Sequence, residues 1–189
     1  MLEDKTLIIG FDDLNHAGDR KGDIIVASFS FNVSDSKIQK FKNRKDMDQL
    51  LRWFHECHDN DYRFATLFDR NLRNMQPNLQ LVAPYLIQDF LDSCQEKIGG
   101  IKCYFDGIIR PWHKEFLMDC FSTIFKLFSV DHFIKKGNVH YCLKIIYISH
   151  ILAHDLYTKP FHEIMEHKKR VEIINEDNIL ALYKNYNNG

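Results

Sequence analysis

Three aspartates stand where regular elements are expected to end: Asp12, Asp106 and Asp155. Asp12, followed by Asp13, closes one apolar run and Asp106 closes another, while Asp155 lies near the end of a long helical stretch. Side chains at strand ends gather at one edge of an α/β sheet. Carboxylates held together repel, and one must take up a proton unless a cation neutralises them. Hard divalent cations such as Mg²⁺ or Mn²⁺ accept oxygen ligands of this kind. A pair of such ions about 4 Å apart activates a water and steadies the leaving oxygen of a phosphodiester. The spacing therefore predicts one acidic pocket, with Asp12, Asp106 and Asp155 as metal ligands and Asp13 assisting. Each aspartate alone is more often a turn residue than a ligand, and Asp106-Gly107 is a turn dipeptide.

The elements that would position these acids are legible in the pattern. Thr6 to Asp12 is nearly continuous in strand formers, as in a buried strand. A short polar turn follows, and Ile24 to Val33 reads as a second strand, so the two are expected to pair antiparallel. Residues 34 to 45 are polar and basic and read as a loop. Asp46 is placed to cap a helix through Cys57, with Met47, Leu50, Leu51 and Phe54 inward. Arg63 to Phe68 is a third strand. Pro77 opens a helix with Leu79, Val82, Leu86 and Phe90 on one face, ended by Gly99-Gly100. Ile101 to Asp106 is a fourth strand, and Pro111 starts a helix whose apolar face runs to Phe128. Val130 to Ile134 is a fifth strand. Asn138 begins a helix to Tyr157, limited by Pro160. Asn175 or Asp177 is placed to cap a last helix through Tyr183. Strand–helix alternation after a hairpin means an α/β fold, a mixed sheet flanked by helices. One domain is expected over residues 1–189, with its core at 5–157 and a helical extension at 158–185.

Composition narrows the class. With 189 residues, 45% apolar and 27% charged, the chain is long enough for a core and is not disordered. The formal net charge of -1 argues against gripping nucleic acid by bulk charge, so any phosphate-binding surface must be local. Two basic stretches, Lys37 to Lys45 and Lys168 to Arg170, suit solvated faces. Five cysteines without Cys-x-x-Cys spacing read as reduced thiols. The charged start of the chain lacks a signal peptide's apolar stretch, and no run reaches the roughly eighteen apolar residues of a span. A cytoplasmic location without membrane contact is expected.

Other side chains invite a role. His150 and His154 are four apart and share a helix face; without a Glu after the first His they do not make a metalloprotease motif. The pair suits the surface, and His154, like His16 in the first loop, is a candidate proton shuttle. Arg20, Lys21 and Lys37 are candidate phosphate contacts. Trp53 and Trp112 have the chemistry to stack on bases, although both fit helix positions.

Gly10-Phe11-Asp12-Asp13-Leu14-Asn15, the second strand, Asp35-Ser36-Lys37, Asp106-Gly107 and the helix Ile148 to Asp155 together resemble the ribonuclease-H-like superfamily, in particular ribonuclease type 2. The resemblance spans residues 6 to 157. It implies a ribonuclease-H-like five-stranded mixed sheet with helices on both faces. It also implies Asp12, Asp13, Asp106 and Asp155 as the metal-binding set for Mg²⁺ or Mn²⁺, and hydrolysis of RNA in RNA–DNA hybrids. The chain departs from that family where Asn15-His16-Ala17-Gly18 replaces its Gly-Arg-Gly, and where Asp13 replaces a Glu. The closing His154-Asp155 is similar to that of a second group, uncharacterised ribonuclease-H-like domains that open with Asp-Glu-Ser-Gly. A metal-dependent nuclease is the leading expectation. The alternatives are a non-catalytic module of this fold that binds nucleic acid or protein, and a hydrolase of a small phosphorylated molecule.

Overall fold

The computed structural model describes residues 5–14, 22–33, 37–39, 43–68, 78–107, 109–121, 127–133 and 141–173. The elements in chain order are β1 (Lys5–Leu14), β2 (Asp23–Ser30), β3 (Lys37–Gln39), α1 (Arg44–Glu56), β4 (Asn60–Leu67), α2 (Asn78–Ser93), β5 (Ile98–Asp106), α3 (Pro111–Phe121), β6 (Leu127–Phe133), β7 (Tyr141–Leu143), α4 (Lys144–Thr158) and α5 (Phe161–Met165). Five strands form one mixed sheet in the order β4-β2-β1-β5-β6. The first two pairings from the β4 edge are antiparallel and the last two parallel.

Alternation along β1 sorts its side chains between two cores. Leu7, Ile9 and Phe11 pack with Leu86 of α2 and Leu117 of α3 on one face. Ile8 and Leu14 pack with Phe54 of α1 and Ile148 and Leu152 of α4 on the other. Helices thus cover both faces, which is why β1 and β2 read as almost unbroken apolar runs. The Phe11 and Phe105 rings stack at 4.4 Å and tie β1 to its parallel neighbour. Residues 169–171 run along the free side of β4: the Phe64 N–H donates to the Lys169 carbonyl (3.1 Å) and the Val171 N–H to that of Phe64 (2.7 Å). A bare edge strand is thereby partly covered.

Helix α4 sits very close to strand β1. A Cβ on Gly10 would stand 2.5 Å from the carbonyl carbon of Ile145, so α4 rests on the β1 backbone itself. Beside this contact the Ser149 hydroxyl donates to the Gly10 carbonyl (2.7 Å) and shares a hydrogen bond with the Ser28 hydroxyl (2.8 Å).

Several boundaries differ from those the sequence predicts. Asn43, not Asp46, caps α1: its Oδ1 accepts from the Asp46 N–H at 2.9 Å. Within the expected loop at 34–45, Lys37–Gln39 pairs antiparallel with Tyr141–Leu143. The expected helix from Asn138 is therefore a strand at 141–143 and begins at Lys144. β2 stops at Ser30, whose Oγ accepts the N–H groups of Asn32 and Val33 and turns the chain. Gly99 and Gly100 lie inside β5 rather than ending a helix, and Phe128 belongs to β6 rather than to α3. Gly100 serves close strand packing, since a Cβ there would meet Leu127 at 3.0 Å. Pro77, Asn138 and the expected last helix lie outside the described residues. No helix among the described residues is long and apolar enough to cross a membrane. All five cysteines are free thiols, and burial pushes the Cys103 thiol well up.

His113, in the first turn of α3, is 3% exposed. Among the described residues neither of its ring nitrogens has a hydrogen-bond partner. Burial, helped by the nearby Arg110 charge, lowers its pKa to about 4.

Two outcomes follow from this packing. Gly10→Ala forces α4 off β1 and is expected to lower stability in urea unfolding by at least about 2–3 kcal/mol. For His113, the unfolded chain binds the extra proton between its ordinary pKa and about 4. Stability is therefore complete above about pH 6.5 and falls by up to about 3 kcal/mol as pH drops through that window. His113→Phe is expected to be at least as stable at pH 7 and to lose less between pH 6.5 and 4, measured by urea midpoints.

Candidate active site

Asp12 lies two residues from the end of β1, opposite Val26 of β2. Its side chain points to the α4 face, because it is even-numbered like Ile8 and Leu14. It is 4% exposed. One carboxylate oxygen, Oδ1, accepts the Asp13 N–H at 2.9 Å. The other, Oδ2, is 2.8 Å from Nδ1 of His150. A carboxylate only accepts, so Nδ1 carries the hydrogen.

Asp106 ends β5, the parallel neighbour of β1. Phe11 and Phe105 are register partners, so Asp12 and Asp106 follow them side by side. Tyr104 packs with the α1–α4 core, and alternation puts half-buried Asp106 on that same face. The chain turns away at Gly107, whose φ of 93° suits glycine. Two of the predicted acids are thus brought together at one sheet edge, on one face.

The other two stand apart from them. Asp13 is odd-numbered, so it faces the α2–α3 side, as does fully buried Asp23 at the start of β2. Burial, then the charges of Asp12, Asp23 and Asp106, push the Asp13 carboxyl up to about 6. Negative charge is therefore concentrated at this sheet edge. Asp155 is five residues beyond His150 on α4, which turns it about 140° round the helix. Its carboxylate pairs with Lys159 at 3.6 Å, and its charge acts on His55 of α1 and Tyr62 of β4. Among the described residues no three His, Cys, Asp or Glu side chains form a group able to hold a metal ion. The single three-aspartate pocket expected from the sequence is not assembled, because the helix turn carries Asp155 toward α1.

The residue of α4 that does reach Asp12 is His150. The i, i+4 spacing of His150 and His154 is the signal that pointed here, and their rings stand 4.7 Å apart, edge to face. His150, His154 and Thr158 recur every fourth residue, on a helix otherwise mostly buried. This stripe walls a groove of about 290 Å³, with Met47 and Leu51 of α1 opposite. The Lys144 ammonium, 3.7 Å over the Trp53 ring, helps to hold the two helices together.

The remaining predicted contacts are scattered. His16, Arg20 and Lys21 lie outside the described residues. Lys37 is exposed on β3. The stretch Lys168 to Arg170 is partly structural: Lys169 Nζ donates to Asp61 at 2.6 and 2.8 Å, and Arg170 Nε to Thr66 Oγ1 at 3.2 Å. Trp112 is half-buried beside His113.

Comparison with known proteins places the fold. No protein-family model matches the sequence, and no curated protein matches it. Among solved structures, the chain is similar to one in the PCNA:RNase HII complex from Archaeoglobus fulgidus. That match has a TM-score of 0.51 and 12% identity, over 96% of this chain and 90% of that one. Ribonuclease H2 from Pyrococcus horikoshii OT3 also matches, at a TM-score of 0.43 and 14% identity, over 96% and 89% of the two chains. The first likeness, with the five-stranded mixed sheet, gives the chain a ribonuclease-H-like fold.

The buried acids carry a cost that stability measurements will read. The folded chain holds a proton on Asp13 that the unfolded chain has released, between pH 3.8 and about 6. Wild-type stability contributed by this group therefore falls as pH rises through that window, by up to about 3 kcal/mol. Asp13→Asn is expected to match the wild type near pH 4 and to exceed it in urea midpoint at pH 7.

Proposed function

We propose that the chain is a divalent-metal-dependent nuclease acting on RNA or on RNA–DNA hybrids. One observation carries this reading: Asp12, two residues short of the end of β1, and Asp106, the last residue of β5, lie side by side on adjacent parallel strands of a ribonuclease-H-like sheet, facing the same side. Hydrolysis of a phosphodiester by such a sheet needs a hard cation, and two carboxylates in a field of negative charge suit one. Mg²⁺ or Mn²⁺ would be held by the carboxylates of Asp12 and Asp106. The chemistry the ion supplies is activation of water and neutralisation of charge on the phosphodiester. His150 orients the Asp12 carboxylate through Nδ1, in the way that partners outside a metal's own ligands align those ligands. His154, packed against His150, is the next group along α4 able to carry a proton. Asp13 acts on the site through its charge, and exposed Lys37 is a candidate phosphate contact.

A second reading is a non-catalytic module of this fold that binds nucleic acid or protein. It is favoured by the lack, among the described residues, of a three-donor metal group, and by the bond that Asp12 already makes to His150.

Mn²⁺-dependent cleavage of a panel of RNA, DNA and hybrid duplexes separates the two. Cleavage of RNA or of the hybrid is expected, falling at least about 100-fold in both Asp12→Asn and Asp106→Asn. Cleavage that survives Asp106→Asn would remove this site. Binding to the panel without cleavage would favour the module.

A further inference from the structure

We propose that the groove between α1 and α4 receives a single unstacked nucleobase of a bound strand, next to the nucleotide held at Asp12. The inference deepens the nuclease reading and rests on it for the identity of the polymer. Its volume of about 290 Å³ lies at the small end of ligand clefts, which run from about 300 Å³ upward. That is room for a flat ring system and not for a duplex.

The lining chooses the base over the phosphate. The apolar surface is supplied by Met47, Leu51 and Ile151. Each charge at the rim has its own counter-charge: Arg44 lies 3.5 Å from Asp48, and Lys159 lies 3.6 Å from Asp155. A groove so compensated exerts little pull on an anion, whereas an uncharged heterocycle enters it without losing a counter-ion. Exposed His154 offers a ring to stack on, as histidines do for splayed bases. The Asp155 carboxylate, 40% exposed, offers acceptors to an exocyclic amine.

Continuity fixes which base this is. His150 both lines the groove and bonds Asp12. From His150 to His154 is one helical turn, about 6 Å. Successive nucleotides of a stacked strand are about 3.4 Å apart, and further when the base is turned out. The occupant is therefore the neighbour of the nucleotide at Asp12. A base can enter only if it is unpaired or flipped, at a cost of a few kcal/mol in a duplex. The site thus selects single-stranded or mismatched stretches over fully paired ones.

The test uses 2-aminopurine, an adenine analogue whose emission rises on unstacking, placed at successive positions of a short RNA, single-stranded or paired with DNA. With the full chain, one position of the single strand is expected to change emission about twofold or more. The single strand should bind about tenfold more tightly than the duplex, the equivalent of one stacked base. Leu51→Arg and Thr158→Trp fill the groove from opposite walls, and both should abolish the emission change and weaken binding about tenfold. Emission that is alike at every position, equal affinity for single strand and duplex, or indifference to both fillings in folded variants would overturn the inference. So would light scattering showing a dimer that Leu51→Arg returns to monomer, since a second copy of the chain would then occupy the groove. Cleavage is not the readout. A chain that takes up the base yet cuts nothing loses only the nuclease reading, and one that cuts through Asp106 yet ignores the fillings loses only the groove.

Discussion

The structure depends on α4 lying directly on the backbone of β1. The contact exists because Gly10 has no side chain and because Ser149 gives its hydroxyl to the Gly10 carbonyl. Once the helix start is fixed over Gly10, His150 is delivered one turn later to Asp12, and the polar stripe of α4 is aimed at α1. The site is thus an outcome of main-chain packing, with rigid elements rather than loops holding the two central residues.

Charge at the same sheet edge works in the opposite direction. Burial and the charges of Asp12, Asp23 and Asp106 raise the cost of ionising Asp13. Residues kept at such a cost mark functional sites more often than structural ones. Asp12 accepts the Asp13 N–H on one carboxylate oxygen and the His150 Nδ1–H on the other, so its carboxylate is held in place. The His113 ring, buried and without a hydrogen-bond partner among the described residues, is a second unfavourable feature, set in the first turn of α3.

Much of the sheet was legible because its signals are local. Continuous apolar runs announced β1, β2, β4 and β5, and a hairpin followed by strand–helix alternation announced the mixed sheet flanked by helices. What was illegible is what depends on distant partners. The strand at Lys37–Gln39 is three residues long, and only its pairing with Tyr141–Leu143 makes it a strand. The same pairing moved the start of α4. Gly99-Gly100 reads as a stop locally and is a strand because β6 packs tightly against it.

For the site, the amino-acid sequence by itself determined that Asp106 ends its strand and that Asp12 lies near the end of its own, since an apolar run closed by Asp needs no tertiary information; pairing with Ile24 and Ile25 of β2 carries β1 on past the expected end at Asp12 to Leu14. The sequence also determined that His150 and His154 share a helix face, because the helical period is fixed. Only the tertiary structure decided which of α4's polar residues meets Asp12. That choice is set by where the helix touches the sheet and how it is rotated there, and a few residues' difference in contact point would have brought Asp155 rather than His150 to the acid.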